Sequence, residues 1–260
     1  MESRIALVTG ASSGLGLATA TTLAARGFRV FGTSRSGSGG PPGTEMRALD
    51  VDDDASVRAC VGALGRIDVL VNNAGRAVVG ACEETSADEA RALFETNLLG
   101  VMRMVAAVLP IMRAHGGGTI VNVGSLSGFV GVPFHGVYAA SKHALAGYTE
   151  ALRLEVAPDG VRVSLVEPAA HRTGIQVARP ARPMARYDEG RARVEAIIRA
   201  QIDGGASPQR VADAIATLAT STSPPFRVRV GGKATFAAWA RRLLPLGAFE
   251  HVMRREFRLP

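Results

Sequence analysis

Apolar residues along this chain fall into short runs that alternate with longer stretches at helical spacing. Residues 3–9 are an apolar run around Ile5-Ala6-Leu7-Val8 and read as a buried strand. The run leads into Thr9-Gly10-Ala11-Ser12-Ser13-Gly14-Leu15-Gly16, and Leu17, Ala20, Leu23 and Ala24 then recur at helical spacing up to a C-capping Gly27. Residues 28–33 predict a second strand, 45–51 a third, a helix to about Leu64, and 67–72 a fourth strand. The pattern turns helical from Glu83. A long helix is expected from about Asn97 to His115, with apolar residues on several faces that suit a sheet on one side and a partner subunit on the other. A strand over 119–123 precedes a helix carrying Tyr138, Lys142, Leu145, Tyr148 and Leu152. Residues 161–166 and 226–230 predict the remaining strands. Between them, Ser207 is placed as the N-cap and Pro208 at the first position of a helix that runs to about Thr220. Strand and helix in alternation predict an α/β domain, with a doubly wound parallel sheet of about seven strands covered on both faces. There are no internal repeats and no domain boundary, so residues 1–260 are one expected domain.

Composition adds little. Nearly half of the residues are hydrophobic, enough for a sizeable core, and no uninterrupted apolar run is long enough for a membrane span. The first strand begins so early that no signal peptide is expected before it. Cys60 and Cys82 lack metal or redox spacing, so both read as packing residues in a reducing cytoplasm. The five histidines are scattered, and no metal site is expected. The net charge of +7 is spread along the chain and densest near its C-terminus. It fits an anionic cofactor better than nucleic acid.

Two stretches carry chemistry. The first is the glycine turn between strand and helix, where backbone N–H groups at a helix N-terminus suit a pyrophosphate. The second runs from Ser125 to Lys142. Tyr138 and Lys142 are four apart and share a helix face, so the ammonium is expected to lower the tyrosine pKa. Ser125, at the end of the preceding strand, can aim its hydroxyl at the same place. Such a set suits a carbonyl or alcohol. His143, beside Lys142, reads as a helix-surface residue.

The glycine spacing Thr-Gly-x-x-x-Gly-x-Gly resembles the short-chain dehydrogenase/reductase family. Asn72-Asn73-Ala74-Gly75, Asn97, Ser125 and Tyr138-x-x-x-Lys142 follow in the family's order and spacing over nearly the whole chain. The resemblance implies a Rossmann-type fold and a catalytic set of Asn97, Ser125, Tyr138 and Lys142, with Tyr138 as acid/base, Lys142 also on the nicotinamide ribose and Asn97 holding a water. It implies cofactor contacts at Gly10, Ser12, Ser13, Gly14, Leu15, Gly16, Asp50, Val51, Asn73, Ala74, Gly75, Tyr138, Lys142, Pro168 and Thr173. It also implies a homodimer or homotetramer built on the helices of Asn97 and Tyr138.

The second strand ends Gly32-Thr33-Ser34-Arg35 with no acid to hold a ribose 2′-hydroxyl. Ser34 and Arg35 suit a 2′-phosphate, so the expected cofactor is NADP(H). Residues 36–43, SGSGGPPG, replace the family's helix and are expected to be a mobile loop beside the adenosine. Asp52-Asp53-Asp54 reads as helix capping. Ala169 stands where the family has glycine, and its added Cβ is expected to shift the backbone or narrow the pocket. His171, on the same loop, is left between a substrate or phosphate contact and a solvent-facing residue. Residues 174–205, Arg-rich and interrupted by Pro180 and Pro183, are expected to be a mobile substrate lid. The tail, about 235–259, mixes aromatics with arginines and is expected to form two helices split near Pro245 and Gly247. It suits a pocket wall, a subunit contact or a membrane surface.

The resulting expectation is an NADP(H)-dependent oxidoreductase for a small-molecule ketone, aldehyde or secondary alcohol. The sequence after Ser125, Gly-Phe-Val-Gly-Val-Pro-Phe, resembles the hydroxysteroid and retinol dehydrogenases and implies a bulky, apolar substrate. Two alternatives are a non-catalytic NADP-binding regulator and a membrane-peripheral protein acting through its tail.

Overall fold

The computed structural model describes residues 3–172, 175 and 177–260. In chain order the strands are β1 (Ile5–Val8), β2 (Arg29–Ser34), β3 (Thr44–Ala48), β4 (Val69–Asn72), β5 (Ala77–Val78), β6 (Gly118–Val123), β7 (Val161–Pro168), β8 (Val177–Ala178) and β9 (Arg227–Val230). The α-helices are α1 (Gly14–Ala25), α2 (Asp54–Gly62), α3 (Ala87–Phe94), α4 (Gly100–Ala114), α5 (Gly136–Glu155), α6 (Asp188–Asp203), α7 (Gln209–Thr220), α8 (Gly232–Leu243) and α9 (Leu246–Glu256). Seven strands form one parallel sheet in the order β3-β2-β1-β4-β6-β7-β9. The order reverses between β1 and β4, and a crevice opens there beyond the carboxyl ends of the strands.

Side-chain alternation along each strand divides the core in two. Leu7, Leu70, Ile120 and Val163 pack with α2, α4 and α5 on one face. Ala6, Val8, Val69, Val71, Val121 and Val123 pack with α1 and α7 on the other. Burial on both faces is why the strands read as unbroken apolar runs.

Capping follows the sequence closely. Asp53 caps α2 by accepting from Ala55 N and Ser56 N, as expected of the aspartate run. Ser86 and Glu89 form a reciprocal capping box at the start of α3. Pro208 sits one position earlier than expected, at the N-cap, while the Ser207 hydroxyl accepts from Gln209 N.

Three local expectations change. Asn97 does not open the long helix: α3, a π-helical turn at Glu95–Leu99 and α4 run on continuously, with Asn97 inside the turn. This 28-residue stretch, Ala87–Ala114, is long and apolar enough by length and composition to cross a membrane. Its apolar side (Val101, Met104, Val105, Val108, Met112) is instead packed into the core. Cys82 is exposed and not a packing residue, whereas Cys60 is buried. The segment expected as a lid is largely helical, because α6 occupies half of it. It is pinned by Glu84, whose buried carboxylate accepts from Ala81 N, Met184 N and the Arg191 guanidinium. Glu195 of α6 also holds Arg179 and Arg199 at 2.8 Å. The tail does form two helices, parted at Leu244-Pro245.

A buried polar ladder ties β4, β6 and α5 together. Asn72 Nδ2 donates to Asn122 Oδ1 at 2.9 Å, and Asn122 Nδ2 donates to Thr149 Oγ1 at 3.0 Å. Asn122→Leu strands Asn72 and Thr149 in the core. It is expected to lower unfolding stability by about 1–3 kcal/mol, read as a lower denaturant midpoint at unchanged slope.

Candidate active site

The first wall of the crevice is the turn from β1 into α1. Gly10 takes a positive φ of 66°, a conformation that favours glycine. Gly16 lies flush on it: a Cβ on Gly16 would come within 2.1 Å of Gly10 O. Ser13 is the N-cap of α1 but makes no side-chain hydrogen bond to the helix. Its hydroxyl is therefore not engaged by the helix, and the first-turn N–H groups offer a place that suits an anionic pyrophosphate. Ser12, Gly14 and Leu15 share this turn.

The turn is fastened to the end of β4. Asn73 Nδ2 donates to Thr9 O and Gly10 O, while the Thr9 hydroxyl accepts from Asn73 N and Ala74 N at 2.9 and 3.0 Å. Sequence reasoning placed Asn73 and Ala74 at the cofactor but assigned Thr9 no role. Its hydroxyl just before the glycine turn was the available signal.

Asn97 acts as a hub behind this wall. Its Oδ1 accepts from Arg76 N at 2.8 Å, and its Nδ2 donates to Arg76 O and to Ser141 Oγ, both at 3.0 Å. Ser141 Oγ in turn donates to Tyr138 O. A Cβ on Gly75 would lie 3.2 Å from Asn97 Oδ1 and 3.8 Å from Lys142 Nζ, so these three residues converge. Ser141, missed from the sequence, betrays itself as a small hydroxyl on the inward face of α5.

Lys142 is buried, and its Nζ donates to Val123 O at 3.0 Å. It also lies 5.9 Å from the Tyr138 ring centroid. Ser125, just past the end of β6, lies close enough to the Tyr138 hydroxyl to influence its titration. The four predicted catalytic residues thus form one cluster. Their electrostatics differ from the expectation. Burial raises the Tyr138 pKa, and the nearby Ser125 hydroxyl only partly offsets it. Lys142 does not pull it down, because burial lowers the lysine's own pKa to about 8. His135, also unassigned from sequence, stacks on Tyr138 with ring centroids 4.3 Å apart. Burial holds its pKa down at about 4, so the ring is neutral. His143 is exposed, as expected.

At the far end of β2, Arg35 is exposed and has no carboxylate partner among the described residues. The Ser34 hydroxyl accepts from Ser38 N and donates to Ser38 O, tying the 36–43 loop into a turn without helix. A Cβ on Gly39 would lie 3.3 Å from Ser12 Cβ, so the loop closes over the glycine turn. Asp50 Oδ1 accepts from Asp52 N, and Val51 is buried against Gly100.

Pro168 ends β7, and Ala169 N donates to Val230 O. The Ala169 methyl is accommodated opposite Gly231, where a Cβ would come within 3.0 Å of it. His171 is buried, not solvent-facing: its Nδ1 pairs with Ala169 O and its backbone bridges to Ala206. Thr173 lies outside the described residues.

A groove of about 1190 Å³ is lined by none of the four candidate catalytic residues. It lies between α6, α9 and the 131–134 loop that joins Ser125 to Tyr138. Val132, Phe134, Phe249 and Met253 make its apolar part, and Arg186, Arg193, Arg241, Arg254 and Arg258 lie along it.

The model of the short chain dehydrogenase family matches residues 4–183. The chain belongs to that family. A 3-ketodihydrosphingosine reductase from Bacteroides thetaiotaomicron is 40% identical over 239 residues, 89% of each chain. Estradiol 17-beta-dehydrogenase 1 from Rattus norvegicus is 41% identical over 66% of this chain and 56% of its own length. A short-chain dehydrogenase of known structure from Streptomyces avermitilis superposes with a TM-score of 0.83 at 35% identity, covering 97% of this chain and 98% of that one. Two further family structures differ in cofactor. One from Burkholderia cenocepacia J2315 is in complex with NADP (26% identity, TM-score 0.77, 100% and 99% covered). A 3-ketoacyl-(acyl-carrier-protein) reductase from Brucella melitensis is complexed with NADH (26%, 0.75, 90% and 99%). An oxidoreductase of the hydroxysteroid- and retinol-like branch is thus the coarse identity.

The buried lysine has a consequence for stability. Its amine titrates at 10.5 when unfolded and about 8 when folded. Between those values the unfolded chain holds the extra proton, so stability rises with pH through that window. Denaturation of cofactor-free protein at a series of pH values is expected to show this rise, and Lys142→Met is expected to flatten it.

Proposed function

We propose that this chain is an NADPH-dependent reductase of ketones or aldehydes, running in reverse as a secondary-alcohol dehydrogenase, on a bulky apolar substrate. The observation that carries this is the Ser125–Tyr138 hydroxyl pair beside the Lys142 ammonium and the Asn97 hub. The dinucleotide supplies the hydride. Tyr138 donates the proton to the developing alkoxide, and Ser125 donates a hydrogen bond to the same oxygen. With cofactor present, Lys142 binds the nicotinamide ribose and favours the tyrosinate. Asn97 orders a water on the path to Lys142.

Preference for NADPH is supported by Arg35, exposed next to Ser34 and without a carboxylate partner among the described residues, with no acid at the end of β2. The apolar substrate is supported by the apolar part of the groove against the 131–134 loop, the loop that joins Ser125 to Tyr138. The similarity to a 3-ketodihydrosphingosine reductase favours a long-chain ketone within that class. Assembly into a dimer or tetramer is supported by Leu99 and Met102 on the α4 side and Leu154 on α5, all exposed apolar residues.

Absorbance-monitored consumption of NADPH against steroid, retinoid, long-chain and short aliphatic carbonyls, with NADH in parallel, tests the reading. Turnover is expected with NADPH on the larger substrates. NADPH binding without turnover of any carbonyl would favour a non-catalytic regulator. Tyr138→Phe is expected to cut kcat by roughly 10²–10⁴-fold while leaving NADPH binding intact. Arg35→Ala is expected to raise the KM for NADPH by about ten-fold, the scale of one charged hydrogen bond, with that for NADH unchanged.

A further inference from the structure

Helix α8 is built the wrong way round for a helix that only completes a core. The residues it turns toward the fold are small: Ala234 and Ala240 are buried and Ala237 is partly so. Its large apolar residues face out. Phe236 is 68% exposed, Trp239 61% and Leu243 65%, and they follow at i, i+3 and i+7 along one helix face. Leu246, 59% exposed at the start of α9, extends the stripe past the Pro245 break. Half of the exposed large apolar residues in the described chain lie between Phe236 and Leu246, so the exposure is concentrated rather than scattered.

Charge says what covers the stripe. Residues 235–260 contain five arginines against two glutamates. Arg242 sits beside the stripe, and it and Arg255 pair with no carboxylate among the described residues, while Arg241 lies over the Phe249 ring. A second copy of the chain is a poor cover, because a two-fold contact sets this face against itself and brings arginine toward arginine. An apolar stripe containing a tryptophan, bordered by free arginines, matches the interface of an anionic bilayer.

We propose that α8 and the start of α9 dock the protein on an anionic phospholipid surface, with Phe236, Trp239, Leu243 and Leu246 entering the interface and Arg242 and Arg255 meeting the headgroups. Docking does not depend on the reductase reading. Leu246 also lines the large groove, so a bilayer held along the stripe lies at the groove's mouth. A lipid ketone can then reach the 131–134 loop without crossing water.

Trp239 is the only tryptophan, so its emission reports this surface alone. Full-length protein is titrated with vesicles of phosphatidylcholine mixed with phosphatidylglycerol, and with phosphatidylcholine alone. With the anionic vesicles the emission is expected to move to shorter wavelength, to be quenched by brominated acyl chains, and to revert at high salt. The double variant Phe236→Ser with Leu243→Ser keeps the reporter and is expected to bind about ten-fold or more weakly. Arg242→Gln is expected to weaken binding about five-fold. NADPH affinity and the thermal midpoint, expected to be unchanged in both variants, show that the fold is intact. Emission unchanged by anionic vesicles overturns the proposal. So does equal binding to both vesicle types, or a shift that follows protein concentration without lipid, which would assign the stripe to a second copy. Failure of vesicle binding leaves carbonyl turnover untouched, so the two readings fall separately.

Discussion

The site depends on how α5 is seated against the sheet. A helix that must present a tyrosine and a lysine at a crevice cannot be held by apolar packing alone, since such packing leaves its rotation and height loosely set. Three polar contacts fix both. The Asn72–Asn122–Thr149 ladder joins its middle to β4 and β6. Ser141 ties its first half to Asn97, and Lys142 reaches the carbonyl that ends β6. Buried polar partners of this kind are costly to leave unmatched, which makes the correct seating much better than its neighbours.

The same burial sets the chemistry. Tyr138 and Lys142 are both enclosed, and enclosure disfavours the charged form of each, raising one pKa and lowering the other. The two values therefore move apart, and the lysine gives up its proton before the phenol does. His135, stacked on the tyrosine and kept neutral by its own burial, closes that side without adding charge. Opposite it, the Thr9–Asn73 fastening keeps the glycine turn in register with the end of β4. Both walls of the crevice are thus fastened to one sheet.

Farther out the molecule changes character. The segment after β7 is anchored by buried ion pairs, Glu84 with Arg191 above all, and this restrains a region whose sequence looks polar and loose. The last two helices combine opposite tasks. Phe249 of α9 is buried against Val130 and lines the groove, while α8 keeps its bulky residues outside.

The sequence by itself determined the main elements and the candidate set of Asn97, Ser125, Tyr138 and Lys142 that the fold brings together. Parallel strands buried on both faces leave apolar runs, glycine is demanded where φ is positive or backbones touch, and Tyr138 and Lys142 share a helix face by spacing alone. The Asp53 cap and the two-helix tail were legible for the same reason: each rests on a few neighbouring residues. Tertiary structure decided whatever depends on partners distant in sequence. Asn97 lies in a π-helical turn because it must reach Arg76 and Ser141 together. His171 is buried because Ala206 and Gly231 come to meet it, and Gly231 makes room for the Ala169 methyl. The lysine pKa follows from enclosure, which no local pattern records. The outward face of α8 was ambiguous for the same reason, since an amphipathic pattern shows that two faces differ but not which one the fold will cover.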